Sequence, residues 1–451
     1  MDRALRALAR SIDGTVATDP ETLARVGRDR SHLTGRPIAA VAPRDADDVA
    51  AAVRWARAHR VPVVARGGGT SLDGESVPVR GGLVLDLSGW RAIREIRADE
   101  GWSRVDPGVV NLDLQIALEA RGAFFPPNPG SWSTSTIGGN VATNASGPRS
   151  FRYGPTRAWI REVELVLGDG RRARWGSRAR KRSVGPDLVS LFVGSEGTLG
   201  IATEITVRIA PLPGVRRGLV VELPDRIRLG RLAQALASAP ATGLSAIEFL
   251  DRPSARELAT AGGIDLGGDG PLLLLEIESD RAAEADDRTA RVTRLLRAAG
   301  ATHRPRAYPD ADDLWSARGQ ASVALDRRFG DRMREDVAVP LGAVDALVRE
   351  IHRIAARARV PLFLFGHLGD GSLHPNFVVP PAGPRAERIR AQLVRAALGL
   401  GGTISSEHGI GVTKTQYLER EIGAPGLDVL RALKQACDPD GILNPGKLFP
   451  P

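Results

Sequence analysis

The chain has 451 residues, more than one hydrophobic core supports, so two or more domains are expected, and its 42% hydrophobic and 25% charged content is ordinary for a globular protein. The formal net charge of +9 comes mostly from arginines spread along the chain, with no arginine–aromatic ladder; this argues against a nucleic-acid module and leaves either a compositional bias toward arginine and alanine or a surface for an anionic substrate, an acidic protein or a membrane face. One cysteine, Cys437, excludes an internal disulfide and a thiolate-held iron–sulfur cluster, and no apolar run approaches the ~20 residues of a membrane-spanning helix.

Residues 1–30 are expected to be helical, ending near Gly27, with Leu5, Leu8 and Ile12 on one stripe. The stretch lacks a secretory apolar core, so a cytoplasmic location is expected. A strand at 37–43, a helix at 46–59 opened by Asp45 and Asp47, and a buried strand at 61–65 follow. That strand runs into Arg66, Gly67, Gly68, Gly69, Thr70 and Ser71, with Gly74 shortly after. Bare backbone N–H groups beside hydroxyl donors make a phosphate cradle. The spacing matches neither the dinucleotide fingerprint nor the Walker loop; a tight surface turn is the alternative.

Short strands are expected at 83–87, 93–97 and 104–106, then a helix at 112–121. Residues 124–154 are rich in glycine and low in charge, yet too patterned for a linker. They contain Pro129, Gly130, Ser135, Thr136, Gly139 and Asn140, then Asn144, Ser146 and Gly147. Long loops of this kind are usually functional, and Asn, Ser and Thr side chains with accessible backbone suit the edge of a heteroaromatic ring. A hairpin at 160–167 and 171–175 precedes the basic run 178–182, read as a solvated loop. A further glycine loop carries Glu196, Gly197 and Gly200 into a strand beginning at Ile201.

Pro211 and Pro213 mark a boundary. Beyond it, strands near 219–223, 246–250 and 272–277 alternate with helices near 229–239 and 282–299, the pattern of an α+β domain with an antiparallel sheet. A helix at 310–326 carries Trp315 and Arg318. A strand at 335–341 and helices at 344–357, 386–398 and 426–437 complete the expected elements.

Residues 363–376 are nearly palindromic, with His367-Leu368 and Leu373-His374 on either side of Gly369-Asp370-Gly371-Ser372. Two apolar runs around a Gly-Asp-Gly turn read as a β-hairpin. In such a hairpin His367 and His374 would face each other with Cβ atoms roughly 4.5–5.5 Å apart, close enough to share one metal at ~2.0–2.1 Å each. The alternative is a polar tip with two solvated histidines. Glu407 offers a hard oxygen ligand and His408 a candidate base, followed by Gly409. Together these give two histidines and one carboxylate, a set that takes zinc or manganese and leaves positions for a substrate.

Taken together, segments 66–74, 129–147, 194–200, 367–374, 407–409 and 444–447 resemble the FAD-dependent D-2-hydroxy-acid dehydrogenases, the group of the glycolate oxidase flavin subunit, D-lactate dehydrogenase and D-2-hydroxyglutarate dehydrogenase. The resemblance covers about residues 35–449, in order and spacing. It implies an α+β chain: a vanillyl-alcohol-oxidase/p-cresol-methylhydroxylase-type FAD-binding domain at 1–212, an α+β cap domain with an antiparallel sheet at 213–400, and a segment at 401–451 returning to the flavin. It implies Arg66 to Ser71 and Gly74 on the pyrophosphate, and Pro129 to Gly147, Tyr153, Glu196, Gly197, Gly200 and Ile201 around the rest of the flavin, with Asn444 near the ring. Gly69-Thr70-Ser71 stands where some relatives attach flavin to a histidine, so FAD is expected to be non-covalent.

The resemblance further implies that His367, His374 and Glu407 hold a divalent metal and that His408 is the general base. Arg318 would bind the substrate carboxylate and Asn376 would touch substrate. Arg334 stands where one branch has a lysine, and a planar fork is not an ammonium; Pro186 replaces a tyrosine. The implied reaction passes hydride from C2 of a small 2-hydroxy acid to FAD. With a single cysteine in the chain, the onward acceptor would be separate: an electron-transfer protein, quinone, cytochrome or iron–sulfur subunit, with peripheral membrane contact open. A flavoenzyme of the same fold acting on another alcohol, as an oxidase or an alkyl-glycerone-phosphate synthase type, is the alternative.

Overall fold

A computed structural model of the chain describes residues 3–262, 270–301, 305–308 and 311–449. The chain divides into two units: residues 1–146, 154–212 and 407–451 form the first, and 147–153 with 213–406 the second.

The first unit opens on a departure from expectation. Instead of one helical stretch there are helices Arg3–Arg10 and Pro20–Val26 with a strand, Thr15–Ala17, between them. The break has a cause: the Asp48 carboxylate accepts the N–H groups of Asp13 and Gly14, each at 2.8 Å. The second helix restarts with Asp19 capping Thr22 and Pro20 in its first turn. Leu5 and Leu8 are buried on the shared stripe.

Strands Ala39–Ala42 and Val63–Arg66 both pair in parallel with Leu83–Asp86. Helix Ala46–His59 makes the crossover between the first two. Asp45 caps it and Arg60 ends it in the left-handed region. Val49, Ala52, Val53 and Ala56 face the sheet. A strand buried on both sides reads as the apolar run seen here. A second, antiparallel sheet runs in the order Ile93–Arg97, Trp102–Val105, Ile201–Arg208, Ile160–Val166, Arg172–Gly176. Residues 407–451 return to the first sheet, where Leu443 forms a parallel bridge with Val63. The final helix, Leu418–Cys437, starts earlier than expected and breaks at Gly423, whose φ is 73°.

The second unit is built on one antiparallel sheet. Its order is Arg306–Tyr308, Val215–Glu222, Leu272–Ser279, Leu244–Leu250, Leu362–His367, Ser372–Phe377, Met333–Arg334, with Val337–Ala338 also paired to Ser372–Phe377. Strand periodicity sends alternate residues to opposite faces. Leu273 and Leu275 enter one core with helices Leu229–Ala237, Ala282–Ala298, Val344–Ala358 and Pro384–Gly399. Leu272 and Leu274 enter another with helices Arg252–Gly262 and Ala311–Phe329. Asp310, the expected first residue of the last helix, lies outside the described residues. The strand expected at 335–341 is instead two short pieces separated at Glu335 and Asp336. Those two carboxylates turn away from the ladder to bind Arg390 and the Ser405–Ser406 pair.

Candidate active site

In the second unit, the alternation of the sheet gathers the polar chemistry onto one face. Past the irregularity between Leu244 and Ala246, the even-numbered positions 246–250, like 272–278 on the neighbouring strand, face away from the larger core. Among them, Glu248 and Glu276 are completely buried. His367 is the residue directly opposite Glu248 across the sheet.

The expected His367–His374 facing pair is corrected by the register. His374 stands opposite Phe365, and His367 lies two residues further on, at the entry to the turn. The turn is longer than a two-residue hairpin: a 3₁₀ turn at Leu368–Asp370, then Gly371 with φ 72°. Positions two apart on a strand share a face, so the rings still meet, with centroids 4.9 Å apart and planes at 81°. Both histidines are buried. His367 Nδ1 bonds Glu248 Oε1, and His374 Nδ1 lies 3.5 Å from Asp336 Oδ1. A carboxylate on Nδ1 orients an imidazole so that Nε2 is presented as a metal ligand. Ser406, whose chain neighbour is Glu407, bonds through its hydroxyl to that of Ser372, 2.6 Å away. Two imidazoles side by side, with carboxylates facing their Nδ1 atoms, are donors that fit a divalent metal.

Arg318 extends from helix Ala311–Phe329 over the Phe365 ring, 4.6 Å from its centroid, and donates to Glu248 Oε2 at 3.0 Å. Asn376 is buried with both amide ends engaged: Oδ1 accepts from Arg332 Nε at 3.0 Å and Nδ2 donates to the His374 carbonyl at 2.9 Å. Arg332 and Arg334 share Asp326. Tyr153 bonds Glu278; burial first, and then that carboxylate, raise its hydroxyl pKa well above the ordinary value. Gly147 falls in the same short segment as Tyr153, whose Arg149 forms a two-pronged pair with Glu276 at 2.9 and 3.0 Å.

The remaining predicted site residues belong to the first unit. Gly67 and Gly68 are pressed so closely against the 134–136 segment that an added Cβ would stand 2.2 Å from Thr136 Oγ1 and 2.3 Å from the Thr134 carbonyl. Gly69 lies under the Arg66 guanidinium with φ 64°. Thr136 caps the short helix Ile137–Thr143, accepting from Gly139 N–H. Asn144 ends that helix in the left-handed region. Ser135 Oγ, Asn140 Nδ2 and Ser195 Oγ are buried with no hydrogen-bond partner among the described residues. Buried polar atoms are seldom left so, and three on the predicted flavin loops are what a polar, ring-bearing ligand would satisfy. These residues fit FAD.

The same unit carries Glu407 and His408. His408 Nε2 lies 3.4 Å from Glu407 Oε1, and Ser146 Oγ donates to Glu407 Oε2 at 3.2 Å. The following turn is clamped from below: Glu196 accepts the N–H groups of Ile410 and Gly411 at 2.6 and 2.9 Å. Asn444 donates to the carbonyls of Glu75 and Glu196 and accepts from Lys447 at 2.8 Å. Burial raises the carboxyl pKa of Glu196 to about 7, against the two backbone bonds that lower it. Burial, then the neighbouring Glu196 and Asp73 charges, raise that of Glu75 well above the usual range.

Sequence reasoning missed Glu248, Asp336, Glu75 and the Arg149–Glu276 pair. A signal was present: Glu248 and Glu276 are acids set inside runs of Leu, Ile and Phe, and a buried charge requires a partner.

Residues 212–448 match the family described as FAD linked oxidases, C-terminal domain, and residues 37–176 match the FAD binding domain. The chain belongs to the FAD-linked oxidase family: it is a flavoprotein oxidoreductase. Within that family it is 37% identical to the glycolate oxidase subunit GlcD of Bacillus subtilis, over 92% of this chain and 89% of that one. It is 31% identical to D-2-hydroxyglutarate dehydrogenase of Stutzerimonas stutzeri, over 97% and 96%. The fold is that of p-cresol methylhydroxylase solved with substrate bound, at a TM-score of 0.83 with 18% identity over 99% of this chain and 96% of that one. Among the described residues, no helix is long and apolar enough to cross a membrane.

Proposed function

We propose that this chain oxidises a D-2-hydroxy acid (D-lactate, glycolate or D-2-hydroxyglutarate) to its 2-oxo acid. The names of its relatives support the substrate class. The observation that carries the reading is the buried His367–His374 pair, each imidazole backed on Nδ1 by a buried carboxylate.

Arg66 to Ser71 and Gly74 hold the FAD pyrophosphate, and Ser135, Asn140 and Ser195 take ring or ribitol polar groups. FAD, when bound, supplies the hydride acceptor. His367, His374 and Glu407 would hold a divalent metal, zinc or manganese, which would supply a Lewis acid able to lower the pKa of a substrate hydroxyl. Arg318 binds the substrate carboxylate through its planar fork, with Phe365 beneath and Glu248 fixing its angle. His408 takes the hydroxyl proton; the clamp of Glu196 on Ile410 and Gly411 holds the turn that presents it. Arg332 locks Asn376, which in turn fixes the carbonyl of His374. The onward electron acceptor would be a separate partner: an electron-transfer protein, quinone, cytochrome or iron–sulfur subunit.

The test is an anaerobic absorbance spectrum of the purified protein before and after D-lactate, glycolate and D-2-hydroxyglutarate. Bleaching of the yellow flavin by one of them is expected. Bleaching by none would sink the substrate class. His408→Ala should keep its FAD and slow flavin reduction by about 10²–10⁴-fold; unchanged reduction kinetics would remove His408 from the mechanism.

A further inference from the structure

Glu248 touches two groups with proposed roles at once. It is fully buried at the centre of strand Leu244–Leu250. The sheet register sets His367 opposite it, and Oε1 bonds His367 Nδ1. Its other oxygen, Oε2, accepts from Nε of Arg318 at 3.0 Å and lies 3.0 Å from Nη2 of the same guanidinium. One carboxylate therefore serves an imidazole proposed to hold the metal and a guanidinium proposed to hold the substrate.

We propose that Glu248 is a positioning residue through which the charge on Arg318 tunes how tightly His367 holds a divalent cation. The inference rests on the roles given above to His367 and Arg318. A carboxylate on Nδ1 orients the ring and adds electron density to the ligating nitrogen. A guanidinium on the far oxygen draws the same negative charge away. The two neighbours compete for one charge, so changing either must move the other. The hydrogen bonds on Glu248 require no motion of the backbone for this, because all three side chains hang from packed strands and one helix.

A role confined to packing predicts that loss of either Glu248 or Arg318 loosens the site. A shared charge predicts opposite signs. The experiment uses the full-length flavoprotein, stripped with a chelator and titrated with Zn²⁺ against a chromophoric chelator at pH 8. Flavin content and circular dichroism report the fold. Glu248→Gln should weaken Zn²⁺ binding by about 10–100-fold. Arg318→Gln should tighten it by roughly tenfold, the scale of one removed like charge at this range, and should do so only while Glu248 is present. In the double variant the tightening should vanish.

Weakening in both single variants, or no change in either, overturns the proposal. So does equal tightening by Arg318→Gln with and without Glu248, which would mean that the guanidinium acts on the metal directly. If Glu248→Gln does not fold, the Arg318→Gln arm decides: tightening supports the coupling, and weakening or no change rejects it. Wild-type protein that takes up no Zn²⁺ removes the metal site itself, and this inference with it, before any variant is made.

Discussion

Each unit buries carboxylates, and the two do it in opposite ways. In the second unit the strand acids Glu248, Glu276 and Glu278 each have a guanidinium. Burial alone would raise Glu276, yet Arg149 holds its pKa down to about 2. Glu248, likewise buried, is kept below its ordinary value by His367 and Arg318. In the first unit the acids crowd one another. Glu75, Glu196 and Asp73 lie together beneath the His408 turn, answered mainly by backbone N–H groups and by Lys414, 3.4 Å from Asp73. Lys447 is itself lowered by burial to about 8. The difference teaches that burial does not decide the charge of an acid; the partner does. Glu248 and Glu276 are fixed charges that serve as scaffolding, whereas in the first unit Glu196, at about 7, sits close to the pH at which it exchanges protons.

Four measurements sharpen or break that contrast. The largest effect should come from Arg149→Ala. It strands the Glu276 charge in the sheet and should cost about 3–5 kcal/mol in chemical denaturation of the second unit; a loss under 1 kcal/mol would mean that Ser245 and Trp315 suffice to hold it.

Next in size is the pH dependence of the first unit. Glu196 is raised from an ordinary 4.5 to about 7 in the fold. Its contribution is therefore most favourable below 4.5 and is lost as pH rises through about 7, an effect of order 3 kcal/mol. Glu196→Gln should flatten the stability curve between pH 5 and 8. Glu276 runs the other way, its contribution present above 4.5 and lost toward about 2.

Gly409→Ala comes third. Its Cβ would stand 2.8 Å from both Glu75 Oε1 and Glu196 Oε1 at a φ of 91°. The strain is of order 1–3 kcal/mol, and it should slow flavin reduction by displacing His408. Wild-type kinetics in that variant would show the acid knot to be pliable.

The smallest effect belongs to the exposed ladder of the first unit, where Arg172 and Arg174 pair with Glu162, Glu164 and Glu204. Glu164→Gln should change stability by about 1 kcal/mol or less, and raising the salt concentration should erase the change.

Much of this was legible in the chain. The triple glycine at 67–69, the Glu407-His408-Gly409 turn and the two histidines all carry their chemistry in local spacing. The hairpin register was not legible, because it is fixed by the pairing of Leu244–Leu250 with Leu362–His367, more than a hundred residues apart. The same is true of Glu248 and Arg149, whose partners lie 119 and 127 residues away. The break near Gly14 depends on Asp48, 34 residues on, which no local propensity reports.

The bridge from Val63 to Leu443 has a consequence for biosynthesis. Val63 accepts the N–H of Asn444, and Lys447 reaches back to Val77. A ribosome making this protein must therefore expose the glycine loops for some 380 residues of elongation before the segment that braces them emerges. The second unit, made of residues 147–153 and 213–406, is complete in the chain before residue 407 emerges and needs no such wait. Nascent chains released before residue 443 should accordingly protect the second unit from protease while the first is still cut.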